Sequence, residues 1–200
     1  MRKEPRLYRI LRFIFIPIFS VAWRPKIINK SVIPTSGRII MAGNHIHAAD
    51  PVLLAMCTKR TVRVLAKKEL YKGPFKPFFY ALGALPVDKD RNNSKMKDEV
   101  IDHLNNEGAL GISPEGKRNK TSEKLLPFKY GAVNFAKKTN TKIIPYAITG
   151  KYHIFNNKLK IVFGAPLDIS ELELEDANKL LYDSVLALLE GETKWNTSSS

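Results

Sequence analysis

One cysteine in 200 residues excludes an intrachain disulfide and a thiolate-rich metal site, and fits a reducing compartment. That residue, Cys57, closes an apolar run, so it reads as a buried structural thiol rather than a nucleophile. Histidine is scarce too, at four. No Glu-x-x-His or His-x-x-x-His spacing occurs, so no metal centre is expected. No serine stands in a Gly-x-Ser-x-Gly turn, which argues against a Ser-His-Asp hydrolase. No Gly-x-x-x-x-Gly-Lys-Ser/Thr run is present to cradle a nucleoside triphosphate. Internal repeats and low-complexity segments are missing as well. The longest apolar run, 13–23, is apolar except at Ser20; eleven residues at a helical rise of about 1.5 Å cannot cross a hydrocarbon core of about 30 Å.

What remains is a chain whose 44% hydrophobic and 26% charged residues are those of a folded domain. Its formal net charge is +14, unevenly placed. Residues 1–38 carry nine basic side chains against Glu4 alone, whereas 166–200 carry eight acids against Lys179 and Lys194. A basic end of this kind favours a polyanion, either anionic lipid or nucleic acid. Nucleic-acid binding calls for aromatic residues interleaved with basic ones on an exposed sheet. The one such stretch, 75–80, is broken by Pro77. The basic excess instead adjoins the apolar segment 7–23, so lipid is the expected partner and nucleic acid is not.

Within 7–23, Arg9 and Arg12 precede the apolar run, Pro17 interrupts it and Trp23 ends it. The pattern predicts a helix lying in the membrane interface, with arginines at headgroup level and Phe and Ile in the acyl boundary. Packing on the protein's own core is the competing reading. A secretory signal is a third, but no small-x-small cleavage site follows cleanly. The expected organisation is a membrane-anchoring segment over 1–30, a single domain over 31–192 and a disordered tail over 193–200.

Strands are predicted at 38–42, 62–66, 84–87, 108–113, 142–148 and 158–164. Helices are predicted at 50–59 and 95–106, from near Tyr130-Gly131 to 138, and over most of 169–190. Alternating strands and helices make an α/β domain with a largely parallel central sheet. In such sheets ligands gather at the carboxyl edge of the strands. Polar loops follow four of the strands, at 43–50, 67–69, 88–93 and 114–118.

The first loop, Gly43-Asn44-His45-Ile46-His47-Ala48-Ala49-Asp50-Pro51, sets an imidazole and a carboxylate between two core-forming runs. Imidazole is a base suited to a hydroxyl at neutral pH, and a carboxylate on its other nitrogen fixes the tautomer. Five residues apart on a continuous helix would separate them by about 140°; a loop turning into a helix at Asp50 can bring them together. Asp50-Pro51 also reads as a helix start, with Asp at the N-cap and Pro at N1. A plain cap for Asp50 and a surface-loop position for His45 are the alternatives. His47 has no partner at a recognisable spacing. Lys67, Lys89, Arg91 and Arg118 lie just past strand ends, where they can converge on one anion, and Gly116 leaves room for a ligand at the backbone. Solvated loop charge is the alternative for any one of them.

Taken in order, the motifs resemble those of the glycerolipid (lysophospholipid) acyltransferases, especially the bacterial 1-acylglycerol-3-phosphate acyltransferase type. That family's Asn-His-x-x-x-x-Asp stands here from Asn44 through His45 to Asp50. Its Lys-x-Glu-Leu stands as Lys67-Lys68-Glu69-Leu70. The block that ends in arginine stands as Gly83-Ala84-Leu85-Pro86-Val87-Asp88-Lys89, with lysine at the arginine position and Arg91 two residues on. Phe-Pro-Glu-Gly-Thr-Arg-Ser stands as Ser113-Pro114-Glu115-Gly116-Lys117-Arg118-Asn119, a more basic version. Ile143-Ile144-Pro145-Tyr146-Ala147-Ile148 matches the family's hydrophobic strand around Pro, and Phe128-Lys129-Tyr130-Gly131-Ala132 a segment between the last two. The resemblance spans about 37–165.

The resemblance implies acyl transfer from a thioester of acyl carrier protein or CoA to the sn-2 hydroxyl of 1-acylglycerol 3-phosphate, giving phosphatidate. His45 would be the base and Asp50 its orienting carboxylate. Lys67, Lys89 or Arg91, and Arg118 would hold the acceptor phosphate, and Glu115 and Gly116 would shape the site. It also implies no cofactor and no acyl-enzyme, and a place at the cytoplasmic face of the cell membrane. Glycerol 3-phosphate or another lysolipid is the alternative acceptor. The acyl groove is expected near 75–82.

Overall fold

Ile39, Ile40, Met41, Ala42 and Gly43 are buried without exception and form β2 (Ile39–Gly43). A strand apolar on both sides belongs in the middle of a sheet covered on both faces, and in this computed structural model it lies there. The structure describes residues 6–72, 83–88, 94–155 and 158–191.

Among the described residues seven strands form one sheet: β1 (Lys26–Ile28), β2, β3 (Val62–Lys67), β4 (Leu85–Val87), β5 (Ala109–Ile112), β6 (Ile143–Thr149) and β7 (Lys160–Phe163), in the order β1-β7-β6-β2-β5-β3-β4. Every pairing is parallel except β6 with β7. Five strands therefore run one way, and the loops after β2, β3, β4, β5 and β6 emerge at the same edge. That edge receives the predicted polar loops at 43–50, 67–69 and 114–118; of the fourth, 88–93, only Asp88 is among the described residues. The largely parallel sheet matches expectation; β1 was not anticipated, because three residues after Arg24-Pro25 leave no periodicity to read.

Among the described residues five α-helices complete the fold, α1 (Arg6–Trp23), α2 (Asp50–Cys57), α3 (Ser94–Asn105), α4 (Gly131–Thr139) and α5 (Leu174–Glu190), and two short 3-10 segments, Lys30–Val32 and Lys68–Tyr71, connect strands. Side chains alternate across β2. Ile39 and Met41 join Leu53, Leu54, Ile144 and Tyr146 in a core beneath α1 and α2. Ile40 and Ala42 join Val100, Leu104, Val133, Ala136, Leu181 and Val185 beneath α3, α4 and α5. The result is three layers, α/β/α. At the end of β2 a side chain is forbidden: a Cβ on Gly43 would lie 2.1 Å from the Tyr146 carbonyl oxygen of β6.

α1 continues through Pro17, where the sequence suggested an interruption. Its inward anchors explain how. Tyr8 and Phe19 are buried; the Tyr8 hydroxyl accepts a hydrogen bond from the Val62 N–H, and Pro17 lies on the exposed side, where a bend costs least. Arg12 also departs from expectation. Its guanidinium donates to the carbonyls of Thr58 and Arg60, at the C-terminal end of α2, instead of pointing to a headgroup layer. A cation there offsets the negative end of the helix dipole. The outer face of α1 exposes Ile10, Phe13, Ile14, Phe15, Ile18 and Val21. Among the described residues no helix is long and apolar enough to cross a membrane. Residues 26–28, at the end of the expected anchor segment, belong to the sheet. The expected acyl-groove stretch 75–82, Lys89, Arg91 and the tail 193–200 lie outside the described residues.

Candidate active site

At the carboxyl edge of β2 the chain is held before it turns. Asn44 is buried, and its amide pairs with both backbone groups of Ile148 on β6: Nδ2 donates to the carbonyl at 2.8 Å and Oδ1 accepts from the N–H at 2.7 Å. This leaves His45 leaning over the sheet edge, partly exposed.

Nδ1 of His45 lies 2.7 Å from Oδ2 of Asp50. The same oxygen accepts the N–H groups of Ile46 at 2.9 Å and His47 at 3.0 Å. The carboxylate thus turns back into the loop. Asp50 is the first residue of α2, Ala49 stands at the cap position, and no side chain caps the helix. The expected N-cap role for Asp50 is corrected accordingly: its acceptor capacity is taken up by the loop and the imidazole. With Nδ1 engaged by a carboxylate, Nε2 is the nitrogen left to act on a ligand.

The other oxygen of Asp50 accepts a hydrogen bond from the Tyr152 hydroxyl at 2.6 Å. Burial first, then the neighbouring Asp50 charge, push this phenol far above its ordinary range, so it stays a donor. Its ring stacks on His47, with centroids 4.3 Å apart. Tyr152 follows β6 and so sits at the same edge as the other loops. Sequence reading passed over it because Lys151 and His153 make its surroundings look like solvated loop. The rule that nominated the other strand-end loops would have found it.

Glu115 links the loops after β2 and β5. It is buried; Oε1 accepts the His45 N–H at 2.8 Å and Oε2 the Leu126 N–H at 3.0 Å. Burial raises its pKa, opposed by these two donors. Asn119 N–H donates to the His45 carbonyl at 2.8 Å, which places exposed Arg118 directly beside the imidazole loop. Gly116 adopts φ +67, a conformation that favours glycine, and a Cβ there would meet Lys129 Nζ at 3.1 Å. Lys67 ends β3 on the same edge and is exposed, while its neighbour Lys68 pairs with Asp88 at 3.1 Å. The site therefore unites His45, Asp50, Glu115, Gly116 and Arg118, with Lys67 further along the edge. Cys57 stands apart: buried in α2, its Sγ 3.1 Å from the Leu53 carbonyl, with burial pushing its thiol up to about 12. Among the described residues no group of three or more His, Cys, Asp or Glu side chains is arranged to hold a metal ion.

The family model for Acyltransferase matches residues 24–149, which contain this constellation except Tyr152. The chain belongs to the Acyltransferase family. The 1-acyl-sn-glycerol-3-phosphate acyltransferase of Borreliella burgdorferi is 30% identical over 172 residues, covering 79% of this chain and 68% of that protein. The enzyme of that name from Saccharomyces cerevisiae is 34% identical over 140 residues, covering 62% of this chain and 45% of the relative. The crystal structure of the acyltransferase PlsC from Thermotoga maritima superposes with a TM-score of 0.74 at 20% identity, over 95% of this chain and 81% of that one. That likeness carries the fold of an acyltransferase domain: a mostly parallel sheet flanked by helices.

Proposed function

We propose that this chain transfers an acyl group from an acyl thioester to the sn-2 hydroxyl of 1-acylglycerol 3-phosphate, giving phosphatidate. The observation that carries the reading is the 2.7 Å contact between His45 Nδ1 and Asp50, set at the sheet edge where Arg118 and Lys67 are exposed. Both relatives are named for the same acceptor, which favours it here.

In this reading Nε2 of His45 removes the proton from the acceptor hydroxyl while Asp50 stabilises the resulting imidazolium. The alkoxide oxygen forms a bond to the thioester carbonyl carbon. The C–S bond then breaks, and the imidazolium returns its proton to the departing thiolate. No acyl-enzyme and no cofactor are required. Arg118 and Lys67, together with Lys89 or Arg91, hold the acceptor phosphate, arginine through paired N–H groups and lysine as a point charge. Glu115 keeps the backbone of His45 in place, and Gly116 shapes the loop beside it. The thioester is carried by acyl carrier protein or CoA.

The apolar outer face of α1 supports a peripheral position on a membrane; the position proposed is the anionic cytoplasmic face, where both amphiphiles reside. The organisation proposed is an interfacial helix, carried by α1, followed by one acyltransferase domain and a short tail.

Purified protein supplied with an acyl thioester and either lysophosphatidate or glycerol 3-phosphate tests the acceptor. Phosphatidate from the first, and little product from the second, is the expected result. Transfer to glycerol 3-phosphate alone would move the reading to the earlier acylation step, and transfer to neither would remove it.

A further inference from the structure

Asp50 has two oxygens and two kinds of partner. Oδ2 serves His45 and two backbone N–H groups; Oδ1 is held by one side chain, Tyr152, at 2.6 Å. Asp50 is 2% exposed, so water cannot readily replace that hydroxyl. A buried carboxylate oxygen left without a donor either rotates to find one or takes up a proton, and both outcomes disturb the contact with His45.

The phenol ring is fixed as firmly as its hydroxyl. One face stacks on His47 at 4.3 Å and 22°. Phe19 meets it edge-on at 6.1 Å and 73°, and Phe19 itself stacks on Trp23 at 4.6 Å. Further along the same loop, the N–H of Phe155 donates to the Ala22 carbonyl at 2.7 Å. The β6–β7 loop is therefore seated against the inner side of α1 at two points, and Tyr152 stands between that helix and the carboxylate.

We infer that Tyr152 is a positioning residue for acyl transfer: its hydroxyl locks Asp50 in the orientation that serves His45, and its ring takes its place from Phe19 of α1 and from His47. It touches neither substrate nor reacting atoms and acts through Asp50. The inference rests on the acyltransferase reading above. It adds to that reading a residue from outside the segment 24–149 matched by the family model, and it gives α1 a role in setting the geometry of the site.

The test is a double-mutant cycle on the full chain, assayed with lysophosphatidate and an acyl thioester. Tyr152→Phe keeps the ring and both aromatic contacts and loses only the hydroxyl. It is expected to lower kcat about ten- to a hundredfold, the range of one charge-assisted hydrogen bond, with KM for the acceptor within about twofold. In an Asp50→Asn background, whose residual rate is the reference, the same change is expected to cost less than about twofold, since no carboxylate remains to be oriented. An unchanged kcat in Tyr152→Phe, a loss confined to KM, or an equal loss in both backgrounds would overturn the inference. Inactive wild-type protein would instead sink the acyltransferase reading, so the two failures are distinct. If Tyr152→Phe alone does not fold, the double variant Asp50→Ala/Tyr152→Phe is compared with Asp50→Ala by urea unfolding: the inference requires that the midpoint of Asp50→Ala stay in place when the hydroxyl is removed, and a further drop or failure to fold contradicts it.

Discussion

Nδ1 of His45 and Oδ2 of Asp50 stand 2.7 Å apart, and the carboxylate that makes this contact also closes the loop between them by accepting the N–H groups of Ile46 and His47. One side chain therefore shapes the loop and orients the imidazole. Asp50→Asn keeps the size but presents an amide nitrogen or a neutral oxygen to donors that need an anion. Turnover is expected to fall by about three orders of magnitude. Asp50→Ala leaves several buried donors unpaired and is expected to cost about 3 kcal/mol or more. A plain helix cap would cost only about 1 kcal/mol. Urea unfolding of both variants distinguishes the two roles.

Asn44 anchors the loop from beneath by pairing with both backbone groups of Ile148. Asn44→Ala strands a buried N–H and a buried carbonyl, and is expected to destabilise the fold by about 2–4 kcal/mol. Chemical denaturation measures this directly. A loss below about 1 kcal/mol would mean that the two groups find other partners.

Glu115 makes stability depend on pH. Burial raises its folded carboxyl above the ordinary 4.5, so the folded state holds the proton more tightly than the unfolded chain. Its favourable contribution is complete below pH 4.5 and is lost as pH rises through the higher folded value. The unfolding free energy of wild type minus that of Glu115→Gln should therefore decline as pH rises above 4.5 and then level off. A difference that stays constant across that range would contradict the assignment.

Much of this fold was legible because its physics is local. β2, β5 and β6 are apolar on both faces, which marks central strands, and the spacing of Val100, Leu104, Leu181 and Val185 marks helices that cover them. His45 and Asp50 were legible as a motif. The way Asp50 turns back on the loop was not, because Asp followed by Pro looks the same whether it caps forward or closes backward. Long-range partners left no local trace. Arg12 finds its acceptors 46 and 48 residues away at the end of α2, so the run 7–23 gave no hint of them. Tyr152 reaches Asp50 across 102 residues, a contact made only when β6 pairs beside β2. β1 owes its existence to β7, not to its own three residues.

Cys57 bears on the absence of an acyl-enzyme in the proposed reaction. Burial pushes its thiol up to about 12, so almost no thiolate exists at neutral pH. Native protein at pH 8 is expected to resist iodoacetamide and to react once unfolded in guanidinium. Cys57→Ala should keep kcat within about twofold and cost about 1 kcal/mol of stability. Rapid labelling of the native protein, or loss of turnover in Cys57→Ala, would reopen the thiol as a participant.

The central claim is that His45 is the base that activates the acceptor hydroxyl. Its most direct test compares phosphatidate formation from lysophosphatidate and an acyl thioester by wild type and His45→Ala, after both are shown to unfold at similar urea concentrations. The account predicts a fall in kcat of about a thousandfold or more. A folded His45→Ala variant that makes phosphatidate at the wild-type rate would contradict it.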